Sequence, residues 1–189
     1  MSLIVPNNFV GKWAIGSNDI TSQKIQQYID QFEPDILESL LGCELYAAFM
    51  ADLTPQPVTP DSVPVELRFQ KIFDPFCLDI KDVNYHCAGW VCDCETEKEI
   101  KSRGIKDMLI GFLYFYWTRD DQFLNGTTGT VNNKYSNSSP VTLSKTNTYR
   151  IYNDAIMSYQ AIQRYILANP DDLDYDSYKG IKKEYSTWP

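Results

Sequence analysis

Met108-Leu-Ile-Gly-Phe-Leu-Tyr-Phe-Tyr-Trp117 is apolar or aromatic at every position except Gly111, and its reading decides the fold. A bilayer span needs about 20 apolar residues, so this stretch is too short to cross a membrane. It reads as a helix buried all round, which makes it either the core helix or a subunit seam. Its start is expected near Glu95, with Thr96, Glu97 and Glu99 in the first turn and Ile100 and Ile105 leading into the apolar run.

Helical patterns flank it on both sides. Upstream, Ile25, Tyr28, Ile29 and Phe32 share one face after a capping Thr21, and Pro34 is read as the first turn of a second helix with Ile36, Leu37, Leu40 and Leu41 as its stripe. Gly42 is a natural stop, and a third short helix is expected from Glu44 to Leu53. The prolines between 54 and 64 mark a stiff loop. Val65-Glu-Leu-Arg-Phe-Gln-Lys-Ile-Phe73 alternates for part of its length, which favours a strand weakly. Downstream, Tyr149, Tyr152, Ile156, Tyr159, Ile162 and Ile166 form the stripe of a helix from Ser144 to Ala168, stopped by Asn169-Pro170. The expected class is mainly α: a helical bundle with a protruding loop or β-hairpin and extended N- and C-terminal arms. Residues 1–20 form an arm that packs on something else, 21–170 the helical domain with a long loop at 125–142, and 171–189 an aromatic tail. Asn132-Asn133, flanked by Thr130-Val131 and Lys134-Tyr135, is the expected hairpin turn.

With 189 residues and 43% hydrophobic content the chain suits one core rather than two. The net charge of -8 argues against a protein that grips phosphate backbones. The first residues lack a basic segment ahead of an apolar run, so a cytoplasmic origin without a leader is expected. Five cysteines in such a chain are expected to be reduced thiols rather than a disulfide framework.

His86-Cys87-Ala-Gly-Trp-Val-Cys92-Asp-Cys94, with Cys77 upstream, is the sharpest cluster of chemically capable side chains. Thiolates and an imidazole suit tetrahedral zinc, but the spacing lacks the two paired knuckles of common structural sites. Small thiols acting as core hydrophobes is the plainer reading. His86 is the only histidine, so Cys–His or Ser–His–Asp catalysis would have to pass through it, and adjacency in sequence does not bring Cys87 against it. Asp120-Asp121 is the best carboxylate pair, placed at the unfavourable negative pole of a helix. Gly126-Thr-Thr-Gly129 lacks the Gly-Lys-Ser/Thr ending of a phosphate loop. Aromatic residues with no evident core to join are interface candidates. These are Trp13, Tyr135, Tyr175, Tyr178, Tyr185 and Trp188, and the loop adds Gly126, Thr128, Gly129, Thr130, Val131, Asn132, Asn133 and Lys134.

Four stretches, in this order, resemble tailed-phage head-tail connector (adaptor) proteins of the type carried by phages and prophages of Bacteroidetes, including crAss-like phages. Tyr28-Ile-Asp-Gln-Phe-Glu-Pro-Asp-Ile-Leu-Glu-Ser-Leu-Leu-Gly-Cys-Glu-Leu-Tyr-Ala-Ala-Phe-Met-Ala-Asp-Leu53 is similar to the family's opening helices, and Ser102 to Asp120 to its central helix. Thr127-Thr-Gly-Thr-Val131 resembles the start of its long loop, and Tyr152 to Ile166 its last long helix. The cysteine-rich segment and the Tyr/Trp tail have no counterpart in that pattern. The resemblance implies a structural virion protein, not an enzyme, with no cofactor. It implies a dodecameric ring at the portal vertex that contacts the portal protein, neighbouring copies and further tail or ring proteins. DNA would pass through its channel without specific binding, and the subunit would reside in the host cytoplasm before assembly. The competing reading is a small intracellular metal-binding or regulatory module built on His86, Cys87, Cys92 and Cys94.

Overall fold

The computed structural model describes residues 2–15, 19–78, 100–121, 123–126, 129–132, 145–170, 178–181 and 183. Five α-helices lie among them: α1 (Asp19–Leu41), α2 (Cys43–Asp52), α3 (Leu67–Phe73), α4 (Gly104–Asp121) and α5 (Lys145–Ala168). Three small antiparallel pairs complete the order, β1 (Leu53–Thr54) with β2 (Val63–Pro64), β3 (Phe76–Leu78) with β4 (Ile100–Ser102), and β5 (Phe123–Gly126) with β6 (Gly129–Asn132). The fold is mainly α, and none of the described helices is long and apolar enough to cross a membrane.

The apolar run behaves as its composition requires. Met108 through Leu113 are all buried in α4, which packs against α5, α1 and α3. Each fully buried Leu, Ile or Phe contributes roughly 1.5–3 kcal/mol through removal from water. Gly111 is the exception in the run because α5 crosses there: a Cβ on Gly111 would lie 2.9 Å from the Ala155 Cβ. Two small residues thus set the closest approach of the central helices. Around this crossing, Phe112 meets Tyr152 and Tyr159 edge-on at 5.5 and 6.0 Å, and Phe115 lies 4.5 Å from Tyr152. On the other side, Trp117 meets Tyr28 of α1 at 5.4 Å and Tyr116 meets Phe32 at 5.1 Å. Many of the tyrosines are therefore seams between helices.

Several expectations need correction. The two helices read either side of Pro34 are one: α1 runs from Asp19 to Leu41 with Pro34 inside it. Proline removes one backbone hydrogen bond there, but Ile25, Ile29, Glu33, Ile36, Leu37 and Leu40 keep a continuous buried stripe across it. The segment read as a strand after Val65 is helix α3. Its buried residues are Phe69, Ile72 and Phe73, a helical spacing, whereas the alternating Val65 and Leu67 are 61% and 62% exposed. Asp52 fixes the entry by accepting the backbone N–H groups of Val65 and Glu66 at 2.8 and 2.9 Å. The central helix begins at Gly104 rather than near Glu95, because Ile100–Ser102 is drawn into pairing with Phe76–Leu78.

Candidate interaction surface

The interface candidates fall on the arm, the hairpin and the tail. In the hairpin the pairs are Phe123 with Asn132, Leu124 with Val131, Asn125 with Thr130 and Gly126 with Gly129. The ladder closes with Gly126 opposite Gly129, so Asn132, expected to turn the hairpin with Asn133, ends a strand instead. Gly126, Gly129, Thr130, Val131 and Asn132 belong to this hairpin, while Thr128, Asn133, Lys134 and Tyr135 lie outside the described residues. The hairpin begins two residues after Asp121, the end of α4, and its main contact with the domain is that helix.

The arm does not wait for another molecule. Leu3, Ile4 and Phe9 are buried in the core, and Pro6–Asn8 and Gly11–Trp13 form short 3₁₀ turns on α1 and α4. Trp13 is partly buried against the same core, with the Lys12 ammonium 4.3 Å from its ring centre. Its indole Nε1 is buried and lacks a hydrogen-bond partner among the described residues. Beside it, Asp154 of α5 receives Lys12 at 3.9 Å and Arg103 at 3.6 Å, and the Arg103 backbone N–H donates to Ser158 Oγ at 3.1 Å. Burial, and then the positive charge of Arg103, hold the Lys12 ammonium below its ordinary pKa. The cleft between these groups has room for about one water molecule and none for a substrate.

The tail provides the larger surprise. Tyr178 packs against the core and burial pushes its phenol up to about 12. Beyond it the chain is strapped across α1 and α5: the Ile181 N–H donates to the Ser39 carbonyl at 2.6 Å, and the Ile181 carbonyl accepts from Tyr159 Oη at 2.6 Å and Gln163 Nε2 at 3.0 Å. Gln160 Nε2 donates to the Lys183 carbonyl at 2.9 Å. The Lys183 ammonium lies 5.0 Å from the Phe112 ring centre and 5.6 Å from that of Tyr159, and burial lowers its pKa. Ile181 itself points outward, 63% exposed. Tyr175, Tyr185 and Trp188 lie outside the described residues.

Asp120 is occupied structurally, accepting from Tyr28 Oη at 3.0 Å and from Arg119 Nε at 2.8 Å. That hydrogen bond raises the Arg119 pKa and fits a helix-end clamp rather than an acid/base pair. His86, Cys87, Cys92 and Cys94 lie outside the described residues, and Cys43 and Cys77 are exposed free thiols. Among the described residues no group of His, Cys, Asp or Glu is placed to hold a metal. The residues that sequence reasoning missed are Glu33, Tyr159, Gln160, Gln163 and Lys183, each of which fastens a distant piece of chain to the helices. No family model, no curated protein and no solved structure matches this chain.

Proposed function

We propose that the chain is a structural ring protein that joins the portal vertex of a tailed-phage capsid to the tail. The observation that carries this reading is the β5–β6 hairpin on the end of the core helix. A hairpin of two strands is marginally stable in water by itself, and among the described residues no third strand pairs with this one. Its outer edges offer backbone donors and acceptors that a neighbouring copy or ring can extend by strand addition. Its contact with α4 would carry that docking to the core helix of the subunit. The resemblance in chain order of the helices and loop supports the same assignment, and so does the acidic balance, which suits a channel wall past which DNA slides.

On this reading the protein is not an enzyme. Its partners are the portal protein, adjacent copies of itself and further tail or ring proteins, and its place is the virion neck after assembly from the host cytoplasm. The test is removal of residues 125–142 from the gene in the producing phage. Particles should accumulate with filled heads and no joined tails, while the purified variant keeps the parent's helical circular dichroism and unfolding transition. Normal tailed particles from the deletion, or absence of the chain from particles purified with their portal, would overturn the assignment.

A further inference from the structure

Ser2 has one hydroxyl hydrogen and two close acceptors. Its Oγ lies 2.6 Å from the Ile4 carbonyl oxygen and 2.7 Å from Glu33 Oε2, both hydrogen-bond distances. A hydroxyl donates only once. If the hydrogen goes to Ile4, the 2.7 Å approach to Oε2 requires a second hydrogen, which only the carboxyl can carry. If it goes to Glu33 instead, the Ile4 carbonyl faces a bare oxygen at 2.6 Å. One proton on Glu33 resolves both contacts: Oε2–H donates to Ser2 Oγ, and Ser2 Oγ–H donates to the Ile4 carbonyl. The remaining groups then fit without conflict, since the Leu3 N–H donates to Oε1 at 2.7 Å and the Ile4 N–H reaches Ser2 Oγ at 3.3 Å.

The surroundings favour the neutral form. Glu33 is 3% exposed, in the buried face of α1. Among the described residues no cation forms an ion pair with it. Lys106 of α4 is near enough for its ammonium to feel a charge on Glu33, as is the Tyr46 phenol of α2, and the amino group at the head of the arm acts weakly in the other direction from burial. Burial is the largest influence and raises the carboxyl above its ordinary range. The hydrogen bonds from Leu3, Ser2 and Ile4 pull it back only in part.

We infer that Glu33 is held as a neutral carboxylic acid whose proton latches residues 2–4 onto α1, so that the N-terminal arm is released as pH rises. With that proton gone, the one Ser2 hydrogen must serve two oxygen acceptors, the Ile4 carbonyl and Glu33 Oε2, and a carboxylate is left in the core. The direction follows from linkage. The docked arm binds the proton more tightly than the released one. Docking is therefore complete below the ordinary Glu value of 4.5 and declines as pH rises from there through the raised value, by at most tenfold per pH unit for one proton.

Hydrogen exchange of the full-length protein tests this. Protection of the Leu3 and Ile4 amides, corrected for the intrinsic pH dependence of exchange, should fall across that window in the parent. It should stay flat in Glu33→Gln, whose amide can donate to Ser2 and accept from Leu3 without titrating. Equal slopes in the two proteins would overturn the latch. Should Glu33→Gln not fold, the carboxyl carbon NMR shift of Glu33 in the parent decides. Titration above 4.5 together with loss of Leu3 protection supports the latch, and titration at or below 4.5 removes it.

Discussion

Tyr159 donates its hydroxyl hydrogen to the Ile181 carbonyl at 2.6 Å, and that bond ties the C-terminal segment to the most buried face of α5. Tyr159→Phe keeps the ring contacts with Phe112 and removes this donor alone. Gln163 still holds the same carbonyl, so the expected loss is about 1 kcal/mol in global stability. Exchange at the Ile181 amide should quicken well beyond what that change predicts. Unaltered exchange there would show that the strap does not depend on the hydroxyl.

Gly180 lies under the strap where a Cβ would overlap the Leu40 carbonyl oxygen and the Tyr178 hydroxyl. Gly180→Ala should undock Tyr178–Ile181 while leaving α1 to α5 assembled. Limited proteolysis is expected to cleave near residue 180 many times faster than in the parent, with the helical circular dichroism spectrum preserved.

Gly111→Ala presses a methyl group against Ala155 at the crossing of α4 and α5. Overpacking costs about 1–3 kcal/mol, against about 1 kcal/mol gained in helix propensity, so a net loss of up to about 2 kcal/mol is expected from urea unfolding. Adding Ala155→Gly should recover part of it, with a coupling energy of at least about 0.5 kcal/mol in the double-mutant cycle. Additive losses would place the strain elsewhere.

Alkaline pH should weaken the fold through its buried phenols. Burial raises Tyr159, and pushes Tyr178 up to about 12, so both keep their protons in the folded state after an unfolded tyrosine, near 10.0, has lost its own. The folded state then binds more protons, and stability falls as pH rises from 10.0 toward 12. Lys183 acts in the opposite sense at lower pH. Its folded pKa is depressed, so its contribution rises as pH climbs toward 10.5. Denaturation midpoints at stepped pH, with tyrosinate absorbance alongside, should show this phenol-linked decline set in above 10.0. Replacing Lys183 with Met should flatten the approach to it.

The central helices were legible because burial leaves its mark on residue type. Met108 to Trp117 and the Tyr149–Ile166 stripe carry their environment in their own spacing. Pro34 misled because a local penalty was weighed without the stripe running past it, and α3 misled because Val65, Leu67 and Phe69 alternate while the buried set is Phe69, Ile72 and Phe73. The strap and the latch left no pattern at all. Ile181 is fastened through its backbone, which any residue supplies, and Glu33 looks like any helix carboxylate until residues 2–4 are laid over it. The aromatic residues of the arm and tail, read as unattached, include Trp13 and Tyr178 packed on the core.

Ser39 pairs with Ile181 and Glu33 with Leu3, so α1 is clasped by segments from opposite ends of the described chain. A polypeptide being synthesised can dock its arm on α1 early, but must carry the Ser39 carbonyl open until the residues beyond 178 have been made. Maturation of this helix is therefore tied to synthesis of the strap. A nascent chain stalled short of it should present the α1–α5 groove to chaperones, and one that carries it should not.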